Sequence, residues 1–298
     1  MAFNPAASKA IQTYRDRVLH NQFGRTHLMT LHDFHRPLGK TGFKVSPLGL
    51  GTVKLGRDQG VKYPNGFTIP DDKHALALLN QARDLGINLL DTAPAYGISE
   101  ERLGYLLQGQ RDDWIIVSKV GEEFIEGESA FDFSAAHTRF SVDRSLQRLR
   151  TDHIELVLVH SNGDDVAILQ HEEVYDTLAA LKQEGKIGGF GFSGKTSEGG
   201  ILALEQGDCA MVTYNFNERD ELPVIDYAGQ HNKGILIKKA LASGHICLAD
   251  GIDPVQASFS LIFAHPAVTS AIVGTITPQH LQSNAACVAE ILRQQAKR

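Results

Sequence analysis

Eight times from residue 48 onward, the chain repeats one pattern: a short apolar run rich in β-branched residues, then a longer stretch of helical period. The strands predicted on this basis are 48–51, 87–91, 114–119, 156–160, 187–193, 210–214, 235–238 and 271–273. Between them, Ala75, Leu78, Leu79, Ala82 and Leu85 recur at helical spacing and stop at Gly86. Ser99 offers an N-cap with Glu100 and Glu101 in the first turn, and helical period returns over 134–149, 174–184, 201–205 and 222–230 and after each of the last two strands. Apolar residues run continuously along the strands, so both faces are buried, as in a parallel sheet covered by helices.

Eight such units with right-handed crossovers close into a barrel of roughly 250 residues, which the 298-residue chain accommodates as one domain. An open doubly wound sheet needs a Gly-x-Gly-x-x-Gly turn directly after a strand, whereas Gly188, Gly189 and Gly191 sit inside a strand run. The predicted fold is therefore α/β, a single (β/α)8 TIM barrel. A short N-terminal β-hairpin over residues 36–46, turned at Thr41-Gly42, precedes it. Residues 1–35 form a basic, histidine-containing extension without an apolar signal segment, expected to be poorly ordered, with Met29 a possible native start.

Composition removes several function classes. A net charge of −6 argues against a general nucleic-acid grip. No run approaches the roughly 18 apolar residues of a membrane span. Cys209, Cys247 and Cys287 make no CxxC or metal-like spacing, which suits reduced thiols in a cytoplasmic protein with no metal.

In a barrel of this kind, chemistry collects at the C-terminal strand ends. Asp91 ends the second predicted strand, with Tyr96 in the loop beyond it; Lys119 ends the third and His160 the fourth. Each alone has an ordinary structural use, but a lysine following Ile-Ile-Val-Ser is buried unless paired, and Asp91 is its natural partner. Together they suit hydride transfer to a carbonyl. A phenol with a free pKa of about 10 can donate the proton, a neighbouring ammonium is expected to lower that pKa, and an imidazole can orient the carbonyl oxygen.

The segments Pro37-Leu-Gly-Lys-Thr-Gly42, Leu48-Gly-Leu-Gly-Thr52 and Asn88-Leu-Leu-Asp-Thr-Ala-Pro-Ala-Tyr-Gly97 resemble the aldo-keto reductase superfamily. So do Ser145–Leu149, Asp152–Leu156 and Val159-His160. The resemblance runs from about residue 36 to the C-terminus. It implies a catalytic tetrad of Asp91, Tyr96, Lys119 and His160, with NADP(H) favoured as cofactor and NAD(H) possible. It places Ser193 at the carboxamide, and Lys238 where an aromatic often stacks on the nicotinamide. Leu241 and Ser243 fall at the pyrophosphate, and Gly274, Thr275, Thr277, His280 and Asn284 at the adenosine end. Gly194, Met211 and His280 depart from the family's asparagine, glutamine and arginine.

The loops after the first and third strands (Lys54, Leu55, Tyr63, Phe67; Phe124, Phe131, Phe133) are expected to wall a pocket for a small carbonyl substrate. Glu122, Glu123, Glu126 and Glu128 would make its rim acidic and disfavour anions. The short stretch after the final helix suggests an open pocket. Two rival readings are a Schiff-base lyase using Lys119 and a nicotinamide-binding regulatory subunit with vestigial activity.

Overall fold

The computed structural model describes residues 30–61, 63, 66–244 and 252–297. Its strands are β1 (Arg36–Pro37), β2 (Lys44–Val45), β3 (Leu48–Gly51), β4 (Leu89–Asp91), β5 (Ile115–Val120), β6 (Glu122–Ile125), β7 (Glu128–Phe131), β8 (Leu156–His160), β9 (Phe190–Ser193), β10 (Cys209–Thr213), β11 (Gly234–Lys238) and β12 (Ser270–Val273). β3, β4, β5, β8, β9, β10, β11 and β12 pair in that order, all parallel, and β12 returns to β3 to close the barrel. This is the expected (β/α)8 architecture, with the hairpin β1–β2 ahead of it.

Two apolar cores follow from the two faces of the strands. The outer core lies between strands and helices, where Leu50, Leu90, Ile116, Val157, Val159, Val212 and Ile237 meet the helical stripes. The inner core fills the barrel with Leu89, Val117, Leu156, Leu158, Cys209, Met211, Leu236 and Ile272. Leu38 and Val45 of the hairpin join the inner core and are fully buried. On β3 the inward positions are glycines. A Cβ on Gly49 would lie 2.6 Å from Ile272 Cδ1, so neighbouring side chains fill the space instead.

The helices begin and end where local chemistry dictates. Ser134 caps the helix Ala135–Leu149 by accepting from the His137 amide, and Asp71 does the same for Asp72–Asp84 through His74. Ser99 departs from its expected role. Ile98 takes the cap position and Ser99 is the first helical residue, its hydroxyl donating to the Thr52 carbonyl and bonded to the Thr52 and Thr92 hydroxyls. Glu100 is not a solvated first-turn acid but fully buried, accepting from Ser118 Oγ at 2.6 Å.

Three further features were not foreseen. The helix Asp165–His171 is inserted after β8, and the helix over 201–205 begins earlier, at Ser197. The glutamate-rich segment after β5, expected as a loop, is an antiparallel hairpin, β6–β7. Gly121 makes that hairpin possible. Its φ of +97° breaks the strand, and a Cβ there would lie 2.4 Å from the Phe133 ring. At the N-terminus the described structure already begins before the expected boundary at 36. Leu31 is fully buried, and its amide donates to the Leu85 carbonyl. The rest of the expected extension, including Met29, lies outside the described residues.

Candidate active site at the barrel mouth

Strand register explains why the polar residues converge. In a parallel pair, partnered residues face the same side, and so do residues two apart on one strand. Asp91 partners Val117, so Lys119 shares its inward face one step higher; Lys119 partners Leu158, so His160 does the same. His160 in turn partners Ser193, and Thr213 partners Lys238. Chain stagger thus turns strand-end positions far apart in sequence into one rising ring of polar side chains.

Within that ring Lys119 is 2 % exposed, and its Nζ donates to Asp91 Oδ1 at 2.5 Å and to the Thr92 carbonyl at 2.8 Å. The buried ammonium is therefore paired, as the sequence required. Tyr96 donates from its hydroxyl to the other carboxylate oxygen, Asp91 Oδ2, at 3.5 Å. Lys119 Nζ sits over the Tyr96 ring, 4.8 Å from its centroid, and the His160 ring stands edge-on to it at 6.5 Å. One carboxylate thus holds both the ammonium and the phenol.

This arrangement overturns one electrostatic expectation. The pull of the Lys119 ammonium on the phenol is outweighed. Burial, then the negative charge of Asp91, hold the Tyr96 hydroxyl well above the ordinary phenol range. Tyr96 consequently keeps its proton at any working pH. Burial likewise lowers the pKa of His160, against the opposing pull of Glu122.

Glu122 is the residue that sequence reasoning missed. Its Oε2 lies 2.5 Å from His160 Nδ1, off the line of the ring N–H, while Ser129 Oγ donates to Oε1 at 2.6 Å. Burial would raise the Glu122 carboxyl, but its contacts with His160, Ser129 and Arg57 outweigh this and draw it down to about 2. The expected acidic rim is accordingly smaller. Glu122 is turned to His160 and Glu123 is paired with Arg144 and His137, leaving Glu126 and Glu128 exposed.

The expected pocket walls divide. Leu55 (1 % exposed) and Phe133 (6 % exposed) belong to the hydrophobic core, not to a wall. Tyr63 faces the mouth: Asp91 helps to raise its pKa after burial, and Lys54 lies over its ring at 3.9 Å. Arg57 covers the Phe124 ring at 3.6 Å and donates to the Ala95 carbonyl, tying the hairpin to the Tyr96 loop.

The residues expected to hold a cofactor line the other half of the mouth. Ser193 is buried at the end of β9, and Lys238 Nζ donates to its hydroxyl at 3.1 Å and to the Gly194 carbonyl at 2.5 Å. Leu241 and Ser243 lie at the short 3-10 turn Ala242–Gly244 after β11. Gly274 follows β12, Thr275 Oγ1 accepts from the Thr277 amide, and Thr277 precedes Pro278 at the start of the last helix. His280 is exposed on that helix, while Asn284 is buried. Gly51 and Gly274 meet across the β12–β3 seam, a Cβ on Gly51 falling 3.7 Å from Gly274 Cα, and the Tyr63 hydroxyl covers Gly274, 2.8 Å from where its Cβ would stand. Of the departures, Met211 belongs to the inner core, and a Cβ on Gly194 would lie 2.9 Å from Asp165 Oδ2. Among the described residues no cluster suits a metal ion. A depression of about 770 Å³ lined by Arg36, Asp226, Lys233 and His265 opens at the far end of the barrel, away from this chemistry.

Lys238 has a measurable consequence of its own. Burial lowers its pKa to about 8, against about 10.5 in an unfolded chain. Below pH 8 both states carry the charge and the fold bears its desolvation. Between pH 8 and 10.5 the native state has shed a proton that the unfolded chain keeps, so that cost falls as pH rises. Wild type should therefore gain unfolding free energy between pH 7.5 and 10 relative to Lys238→Met. Parallel urea titrations at the two pH values measure this, and equal pH slopes for the two proteins contradict it.

The aldo/keto reductase family profile matches residues 47–247. This chain belongs to that family. It is 28% identical over 295 residues to L-galactose dehydrogenase of Arabidopsis thaliana, across 86% of this chain and 88% of that protein. It is 32% identical over 214 residues to aldo-keto reductase YhdN of Bacillus subtilis, across 70% of this chain and 62% of that one. Among solved structures, an aldo-keto reductase from Pseudomonas aeruginosa is 66% identical and superposes with a TM-score of 0.81, covering 88% of this chain and 97% of that one. The holo form of aldo-keto reductase AKR11C1 from Bacillus halodurans, at 24% identity, shares the fold with a TM-score of 0.71, covering 87% of this chain and 95% of that one. The chain is thus an oxidoreductase of the aldo/keto reductase type, acting between carbonyl and alcohol groups. Among the described residues no helix is long and apolar enough to cross a membrane.

Proposed function

We propose that this enzyme reduces aldehydes or ketones to alcohols, with Tyr96 as the proton donor and a nicotinamide dinucleotide as hydride source. The observation that carries this reading is the shared carboxylate of Asp91, which fixes a buried ammonium and a phenol in one cluster beside an imidazole.

The residues fit such a cofactor. Hydroxyls, the half-buried Lys238 ammonium and the Gly51–Gly274 backbone seam line the β9–β12 half of the mouth, opposite the tetrad. Ser193 and Lys238 would hold the nicotinamide end. Leu241 and Ser243 would take the pyrophosphate, and Gly274, Thr275, Thr277, His280 and Asn284 the adenosine end. When bound, the cofactor supplies hydride to the carbonyl carbon.

The chain's own groups do the rest. The Tyr96 hydroxyl is a weak acid here, but an alkoxide is the conjugate base of an acid about as weak as water and far weaker than a phenol. Transfer from Tyr96 to the developing alkoxide therefore remains downhill. The Lys119 ammonium stabilises the phenolate left behind, and His160 orients the substrate oxygen. Lys119 is committed to Asp91 and Thr92, which does not suit a neutral Schiff-base amine.

NADPH is proposed over NADH. The preference should be modest, because His280 takes the place of a permanently charged, forked arginine. Fluorescence titration with both reduced cofactors, followed by a panel of neutral aldehydes and ketones, tests the reading. Saturable binding and turnover are expected; binding of neither cofactor would overturn it.

A further inference from the structure

We propose that Glu122 is a positioning residue for His160, holding the ring at Nδ1 from the β6–β7 hairpin so that Nε2 is the nitrogen offered to the reactant. This rests on the reading of His160 as the group that orients the substrate oxygen.

The geometry comes from the hairpin. Glu122 partners Phe131 and Phe124 partners Ser129, so Glu122, Phe124, Ser129 and Phe131 share one face of the ribbon. On that face each end of the Glu122 carboxylate is engaged, Oε1 by the Ser129 hydroxyl at 2.6 Å and Oε2 by His160 Nδ1 at 2.5 Å. The hairpin is itself anchored. Arg57 lies against the Phe124 ring at 3.6 Å and bonds to the Ala95 carbonyl, one residue before Tyr96. On the opposite face Glu123 is tied to Arg144 at 2.5 Å. A carboxylate so held pins the ring's rotation by close charge contact at Nδ1, off the N–H line, and leaves Nε2 to the reactant.

The same contact opposes the burial that lowers the His160 pKa. The groups facing it are Glu122 from β6, Lys119 from β5 and Lys238 from β11, with Tyr96 edge-on. Burial and both ammonium groups oppose protonation, and Glu122 alone favours it. Neutralising Glu122 must therefore make His160 harder to protonate and free its ring.

The test compares wild type with Glu122→Gln, Glu122→Asp and Ser129→Ala. Two-dimensional NMR of ¹⁵N-histidine-labelled full-length protein follows the His160 nitrogens across pH, alongside pH profiles of kcat and KM for a neutral aldehyde. In Glu122→Gln the His160 titration should move to lower pH, and the matching limb of the kcat profile should move with it. KM for the cofactor should stay unchanged. Glu122→Asp should restore part of the shift, and Ser129→Ala should give a smaller one. An unmoved His160 titration and kcat profile in Glu122→Gln overturn the proposal. Because the NMR titration needs no turnover, it stays informative even if no aldehyde is reduced, an outcome that would count against the proposed function alone.

Discussion

Tyr96→Phe is expected to lower kcat for carbonyl reduction by roughly 10²–10⁴-fold, the usual range for losing a positioned proton donor, while cofactor affinity stays within about twofold. The ring remains to pack under the Lys119 ammonium and edge-on to His160, so the site keeps its shape and loses only the hydroxyl. The hydroxyl makes one long contact, 3.5 Å to Asp91, and its removal frees that carboxylate for Lys119 alone. Stability should therefore hold or rise slightly. Since the phenol stays protonated across the working range, wild-type kcat should show no downward limb attributable to Tyr96 below about pH 9. Steady-state kinetics with a cofactor titration on the same preparation measures both parts. Retention of full kcat would remove Tyr96 from the mechanism.

Lys119→Met is expected to cost both activity and stability. The ammonium is 2 % exposed and carries the charge opposite Asp91, so its loss strands a buried carboxylate. Breaking such a pair from one side typically costs about 3–5 kcal/mol. At roughly 2–4 °C per kcal/mol for chains approaching this size, Tm should fall by on the order of 10 °C. The double variant Asp91→Leu with Lys119→Met separates the two effects. With both charges gone it should regain much of the lost Tm yet remain inactive, because the phenolate has no counter-charge. If single and double variants melt alike, the pair is not the source of the stability.

The strands were legible because their chemistry is local. Leu156-Val-Leu-Val-His160 is a strand with the expected bounds, Gly234–Lys238 differs by one residue at its start, and Cys209–Thr213 is shifted by one residue at each end. Strand-end polarity gave the tetrad for the same reason, since a barrel's inward period leaves those side chains at the mouth. What the sequence concealed depended on long-range partners. Glu122 reads as one of four acids in a solvated loop until the antiparallel register of the hairpin turns it toward His160. Ser99 reads as a cap until Thr52, 47 residues away, claims its hydroxyl. The direction of the Tyr96 shift turned on how deeply the phenol is buried and on the nearness of Asp91, which residue order does not state.

The hairpin β1–β2 acts as a stopper in the floor of the drum. With Leu38 and Val45 at zero exposure among the lumen side chains, trimming the chain back to the first barrel strand would open a drain beneath Leu156, Leu158 and Met211. The smallest piece that folds should therefore keep the hairpin and the buried Leu31 before it. A tag or fusion joined upstream of residue 30 leaves that seal intact, whereas one joined inside the hairpin would let water rise from below toward the catalytic floor.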